Sequence, residues 1–280
     1  MIGTGTSVDA LMRERPEWQP WLAVVDQILR EAQSDRCDEA VAVPAERRDP
    51  LAPLLADATI TVPARLVRRV LERALRVTSA ASADVDVLAL LAASLRHDEA
   101  AMADVATRVG IDVEAFQSSA ALLAVPLLHS CRRRLASNVT PGWVEGYCPL
   151  CASWPAFAEV LGIERSRQFR CGRCGSAWHA RHLLCAYCGT VDHNDLATLV
   201  PEKAGSHASI DACKRCGGYV KTFTRLQASA PETVILDDLA SVDLDMAALE
   251  IGYTRPAGPG RPFDVSVRDG GTSGLFGWRR

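Results

Sequence analysis

Eight of the ten cysteines in this 280-residue chain fall into four CxxC pairs between residues 148 and 216: Cys148/Cys151, Cys171/Cys174, Cys185/Cys188 and Cys213/Cys216. A CxxC turn sets two sulfurs on one side of a tight loop, where they can grip a metal ion but fill only half of its tetrahedral shell. A second pair must close each site, so four pairs make two tetrathiolate sites. Taken in order, 19 residues separate the first two pairs and 24 the last two, spacings of the rubredoxin or zinc-ribbon kind. Interleaved pairing, first with third and second with fourth, satisfies the same arithmetic, so spacing leaves the partners open. Gly175, Gly189 and Gly217 directly follow the second cysteine of their pairs. A residue free to take positive φ there lets backbone N–H groups turn toward the sulfurs. Ala152 stands at that place in the first pair and departs from the rule.

The competing reading of a CxxC is a thioredoxin-type dithiol, and Cys148-Pro149-Leu150-Cys151 has the proline for it. Such a motif opens a helix after an apolar strand. Residues 136–147, ASNVTPGWVEGY, do not supply that strand. Tetrahedral sulfur sites suit both zinc and iron, so the residues alone do not choose the metal. His179 and His182 lie between the second and third pairs, but each metal already has four sulfurs, so the histidines are read as packing or supporting residues. Cys37 and Cys131 stand alone in helical sequence and are read as small buried hydrophobes.

At 48% hydrophobic and 23% charged residues, the chain can bury a substantial core and hold more than one domain. The opening MIGTGTSVDALMRERPEW lacks the basic, apolar and small-residue order of a secretory signal. The apolar runs near Val85 to Leu95 and Ala120 to Leu128 are too short or interrupted to span a bilayer. A cytoplasmic protein without membrane insertion is expected, and in that reducing compartment paired cysteines are metal ligands or redox thiols rather than structural disulfides.

Apolar residues recur at helical steps through residues 1–141, predicting an all-helical domain of five or six helices. Trp18, Trp21, Leu22, Val25, Ile28 and Leu29 make one stripe. After a loop through Pro44, Pro50 and Pro53, Pro63 sits as a first-turn proline before Leu66, Val67, Val70, Leu71 and Leu75. Val85, Leu88, Leu91 and Leu95 form the next stripe. Asp98 and Asp112 are expected N-caps of two further helices, with Gly110 as the stop between them. Residues 142–229 read as two small rubredoxin-like metal modules. Residues 230–263 form an acidic segment with a helix around Leu236 to Leu249, and 264–280, rich in glycine, read as a disordered tail. The fold class expected is α+β.

Net charge is uneven: +3 over residues 145–229 and −6 over 230–250. Asp237, Asp238, Asp243, Asp245 and Glu250 have no Lys or Arg among them, and the four aspartates are the candidate partner-binding residues. Asp237 and Asp238 serve equally as helix-capping residues. Nucleic acid is not an expected partner. Residues 102–123 mimic a helix-turn-helix, but the second helix, Asp112 to Leu123, carries two acids and no base. No HExxH, phosphate-binding loop, nucleophile elbow or dinucleotide fingerprint occurs, so no enzyme is expected.

The segments Tyr147-Cys148-Pro149-Leu150-Cys151, Cys171-Gly172-Arg173-Cys174-Gly175-Ser176-Ala177-Trp178-His179 and Cys185-Ala186-Tyr187-Cys188 resemble the formate dehydrogenase accessory protein FdhE family. The likeness continues through Ala212-Cys213-Lys214-Arg215-Cys216-Gly217-Gly218-Tyr219-Val220-Lys221, then Asp237 to Asp245, and closes at Gly252-Tyr253 and Pro262-Phe263. It covers about residues 142–263. The resemblance implies a non-catalytic maturation factor that binds the catalytic subunit of a molybdenum- or tungsten-dependent formate dehydrogenase. It also makes the eight paired cysteines metal ligands and moves iron ahead of zinc. The alternative function is a tetrathiolate redox protein or electron carrier, for which the large helical domain is unnecessary.

Overall fold

The computed structural model describes residues 6–34, 37, 38, 49, 51–75, 85–201 and 207–271. Pro44, Pro50 and residues 272–280 lie outside the described residues. Among the described residues, the N-terminal half builds helices from the periodic stripes: α1 (Val8–Glu14), α2 (Gln19–Ala32), α3 (Ala64–Ala74), α4 (Val87–Arg96), α5 (Glu99–Val109), α6 (Val113–Leu123) and α7 (Val125–Leu135). Their boundaries follow capping chemistry. Asp86, Asp98 and Asp112 each accept hydrogen bonds from first-turn N–H groups of α4, α5 and α6. Gly110 ends α5 at φ 71°. Pro63 sits one residue earlier than expected, at the N-cap of α3. The α5–α6 pair is a packed hairpin that buries Met102, Val105, Ala106 and Phe116 in the common core.

One strand interrupts the expected all-helical half. Residues 58–62, ATITV, alternate buried and half-buried positions as β1 (Ala58–Val62). Its partner is β8 (Val265–Asp269), paired in parallel with Ala58 opposite Val265. The disordered tail expected from residue 264 is therefore corrected over 265–269. Those residues read VSVRD, whose β-branched side chains suit a strand, and they satisfy the backbone of β1.

The cysteine region folds into one six-stranded sheet in the order β4-β3-β2-β7-β6-β5. The strands are β2 (Phe157–Leu161), β3 (Ser166–Arg170), β4 (Ala177–His179), β5 (Leu196–Leu199), β6 (Ala208–Cys213) and β7 (Tyr219–Arg225). Each module contributes an antiparallel three-stranded half, and the halves join through parallel pairing of β2 with β7. The acidic segment forms two short helices, α8 (Val234–Ala240) and α9 (Val242–Glu250), where one was expected. Ser241 breaks them: its hydroxyl donates to the carbonyls of Asp237 and Asp238, giving the chain an alternative to continued helix.

The hydrophobic core does not stop near residue 141. It runs from Leu22, Ile28, Leu91 and Leu128 of the helices through Trp143, Tyr147, Cys148, Cys151, Cys171 and Cys174 to Phe169 and Trp178 of the sheet. Among the described residues, no single helix is long and apolar enough to cross a membrane.

Candidate metal centres

The four CxxC turns share one backbone design. In each, the N–H of the first cysteine donates to the carbonyl five residues on: Cys148 to Ser153, Cys171 to Ser176, Cys185 to Thr190 and Cys213 to Gly218, at 2.8–2.9 Å. The residue after the second cysteine returns its N–H to the carbonyl of the first: Ala152, Gly175, Gly189 and Gly217, at 2.9–3.0 Å. Closing that loop requires positive φ, which is 72°, 70° and 69° at the three glycines. Ala152 takes the same conformation at φ 57°, so the first turn keeps the geometry of the others despite its Cβ.

These turns bring the sulfurs together in sequential pairs. Cys148, Cys151, Cys171 and Cys174 form one cluster and Cys185, Cys188, Cys213 and Cys216 the other, each with all four Sγ atoms within 4.8 Å of one another. In the first, Cys148 lies 3.5 Å from Cys174, and Cys151 lies 3.5 Å from Cys171 and 3.9 Å from Cys174. In the second, Cys185 lies 3.6 Å from Cys216 and Cys188 lies 3.7 Å from Cys213. Metal–sulfur bonds of about 2.3 Å arranged tetrahedrally put sulfurs about 3.8 Å apart, so both clusters have the size and donor chemistry to hold a metal ion.

The surroundings of the two clusters differ. All four sulfurs of the first belong to fully buried residues, whereas Cys188 and Cys216 of the second are exposed. The first site is also tied to the helical half. The carbonyls of Pro149 and Leu150 accept from the N–H groups of Leu54 and Leu55. Arg173, inside the second turn, donates to His97 Nε2 at 2.6 Å and to the Ser94 carbonyl at 2.8 Å, clamping the C-terminal cap of α4. A guanidinium only donates, so Nε2 is the bare nitrogen of a neutral imidazole. Burial, followed by the charge of Arg173, pushes His97 down to about 3. Ser153 Oγ lies between, 3.1 Å from His97 Nε2 and 3.2 Å from Cys151 Sγ. On the other side, Ser176 Oγ lies 3.0 Å from Cys174 Sγ.

Without a metal, the buried sulfurs titrate against one another. Hydrogen bonds from the other three thiols hold Cys151 well below the ordinary thiol range, while burial drives Cys148 and Cys174 above it. The charge of Arg173 lowers Cys151 further. In the second cluster, burial raises Cys185. At Cys188 the opposing burial is outweighed by the Thr190 N–H and neighbouring thiols, which lower it. Cys37 and Cys131 are buried away from both clusters, and burial pushes them up to about 11 and about 12, so both are neutral thiols at physiological pH. His179 and His182 are exposed and join neither cluster.

The four aspartates of the acidic segment find cations elsewhere in the chain. Asp237 is buried, facing Arg225 at 2.7 Å and the Ser229 hydroxyl at 2.6 Å, and it accepts from the Thr6 N–H. Asp238 and Asp245 enclose the fully buried Lys221 ammonium at 2.7 and 2.8 Å, and both also pair with Arg255. Asp243 reaches Arg15 at 2.6 Å but leaves 78% of its side chain exposed. Beside it on the same helix, Met246 and Leu249 are exposed, followed by exposed Ile251. His97 and Ser153 lie outside the motifs, and Arg173 and Ser176 stand within one without a role, although both serines could have been found by position, each two residues beyond the closing cysteine of its pair.

Residues 183–259 match the family described as the C-terminal domain of FdhE. Three proteins named FdhE homologues align with this chain. That of Aquifex aeolicus (strain VF5) is 30% identical over 116 residues, 40% of each chain. That of Pseudomonas aeruginosa is 34% identical over 116 residues, 39% of this chain and 37% of the relative. That of Stutzerimonas stutzeri (strain A1501) is 30% identical over 114 residues, 39% of this chain and 36% of the relative. The alignments thus span 40% or less of these relatives' lengths. The likeness in three dimensions is broader: the crystal structure of the FdhE protein from Pseudomonas aeruginosa superposes with a TM-score of 0.53 at 22% identity, covering 86% of this chain and 88% of that one. The resemblance to the FdhE family is therefore carried by the match of residues 183–259 to the FdhE C-terminal domain, in a chain that shares the fold of a solved FdhE protein.

Proposed function

We propose that this chain is a non-catalytic accessory factor of the cytoplasm that binds the catalytic subunit of a molybdenum- or tungsten-dependent formate dehydrogenase, with an iron ion in each tetrathiolate site. The observation that carries the reading is the match of residues 183–259 to the FdhE C-terminal domain, which takes in the second sulfur cluster, β5 to β7 and the acidic helices. In this reading the eight cysteines are metal ligands and not catalysts. Bound iron would supply a rigid, redox-sensitive crosslink in each module. The client contact falls to the outer face of α9, where Asp243 stands beside exposed Met246 and Leu249. Asp237, Asp238 and Asp245 support that face from within, through Arg225, Lys221 and Arg255.

Copurification tests the reading. The full chain, expressed with a formate dehydrogenase catalytic subunit, is expected to retain it. Retention is expected to be lost with Asp243→Lys plus Met246→Glu, and with Cys213→Ser plus Cys216→Ser. Retention undiminished by a folded, metal-free variant would overturn the metal-dependent form of the proposal. Metal content and absorption of anaerobically purified protein separate iron, with thiolate-to-iron charge-transfer bands, from zinc, which has none in the visible range.

A further inference from the structure

The four turns invite comparison at one position, two residues beyond the closing cysteine. The first cluster has Ser153 and Ser176 there, and both hydroxyls lie on sulfur, at 3.2 and 3.0 Å. The lone pair of His97 Nε2 is occupied by Arg173, which leaves the Ser153 proton to Cys151. The second cluster has Thr190 and Gly218 at the same position. The Thr190 hydroxyl is within reach of Asp195 and accepts from the Asp192 N–H instead of serving a sulfur. Gly218 has no hydroxyl to offer, and a Cβ there would run into the Tyr187 ring.

Burial divides the clusters in the same sense. Every cysteine of the first is buried in the main hydrophobic core, together with Trp143, Tyr147 and Leu150. In the second, Cys188 and Cys216, one from each pair, open to solvent on a shared edge. An incoming ligand can approach that edge without any movement of the protein, whereas the first cluster must first open its core.

We infer that the two sites hold metal on different terms: the second tetrathiolate is an exchange site, at which a soft divalent ion enters and leaves by ligand substitution at Cys188 and Cys216, while the first is a permanent structural site. The inference rests on the reading of both clusters as metal sites and adds a division of labour between them. The Cys174 thiol donates to Ser176 Oγ, but once a metal takes the thiol proton only the hydroxyl can donate. Such donation spreads the negative charge of a thiolate, so Ser153 and Ser176 act as positioning residues for the first site.

The test follows metal release from the full chain loaded with two equivalents of zinc(II), and separately of iron(II) without air, into excess chromophoric chelator. Two phases of one equivalent each are expected, the second at least tenfold slower. Cys188→Ser plus Cys216→Ser is expected to abolish the fast phase and keep the slow one. Ser153→Ala plus Ser176→Ala is expected to accelerate only the slow phase, by roughly tenfold or more for each hydrogen bond to charged sulfur that is lost. Alkylation of the wild-type protein during release, read by mass spectrometry, gives a measure independent of variant folding. Cys185, Cys188, Cys213 and Cys216 should label first. Two equivalents leaving at one rate, or first labelling at Cys148 to Cys174, would overturn the inference while leaving the metal reading intact. Failure of the wild-type chain to bind either ion would overturn both.

Discussion

At the scale of single residues, the position closing each CxxC turn shows how one backbone requirement meets four different environments. Left-handed φ costs an ordinary residue about 1–2 kcal/mol, which glycine avoids. A Cβ on Gly189 or Gly217 would meet nothing within 4 Å, so Gly189→Ala and Gly217→Ala should each cost only that strain. A Cβ on Gly175 would come within 2.5 Å of the Pro231 carbonyl oxygen. Gly175→Ala adds overpacking against backbone and is expected to cost about 2–5 kcal/mol in total. Urea unfolding of the metal-loaded proteins checks the order, and equal losses at all three positions would show that backbone strain alone governs these turns. The glycines were legible because the conformational demand is local. The tolerance of Ala152 was not, since it depends on what surrounds the Cβ after folding. The serines on sulfur were in plain view, but their meaning emerges only when the four turns are aligned on their closing cysteines.

At the scale of elements, the helices were legible from their stripes and caps, while the strands that hold distant parts together were not. β1 is five residues long in a helical context, and its partner β8 begins at Val265, across the whole cysteine region. No local pattern announces such a pairing. Ending the chain after Phe263 removes β8 and leaves the N–H and C=O groups of β1 without their ladder, beside buried Ile60 and Val62. A fall in Tm of about 5 °C or more is expected. The β2–β7 seam was equally hidden, because its charges balance across elements. Glu159 and Arg170, both fully or nearly fully buried, pair at 2.8 Å, and Arg225 lies against Glu159 and Asp237. Glu159→Ala should cost about 3–5 kcal/mol by stranding the Arg170 guanidinium. Burial opposes charge on Glu159, Asp237 and Asp238. Arg170 with the Ser229 N–H, Ser229 with Arg225, and Arg255 with Lys221 overcome it and hold the three carboxyls below their usual range. Groups with lowered folded pKa stabilise the protein fully above the unfolded value near pH 4 and lose that contribution as pH falls through the folded value. The urea midpoint should therefore drop steeply below about pH 4. A midpoint unchanged from pH 6 to pH 3 would remove these ion pairs as a source of stability.

At the scale of the molecule, the placement of the two sulfur clusters makes them unequal in what they hold together. Their existence was legible from eight cysteines, since two clusters are required by the count, but sequential partnership and burial needed the fold. The first cluster sits where the core passes from helices to sheet, bonded to Leu54 and Leu55 through its turn carbonyls and to the cap of α4 through Arg173. The second is held chiefly by its own module and the C-terminal region, with Lys214 N–H on the Asp195 carbonyl and Thr254 N–H on the Gly217 carbonyl. It meets the first module through Ala186 and through Tyr187 edge-on to Trp154, and among the described residues its turns make no hydrogen bond to the helical half. Loss of metal from each should therefore travel different distances. Metal binding at such a site is coupled to folding, so its loss releases whatever the turns were fixing. With Cys171→Ser plus Cys174→Ser, amide hydrogen exchange is expected to accelerate in α4 and α7 as well as in β2 to β4, because the helices lose a rigid face of their own core. With Cys213→Ser plus Cys216→Ser, the acceleration should stay within β5 to β7, α8 and α9, leaving the helical half protected. Exchange that accelerates in the helices equally for both variants would mean that the six-stranded sheet transmits the loss across its central parallel seam, and that the molecule unfolds as one unit whichever site is emptied.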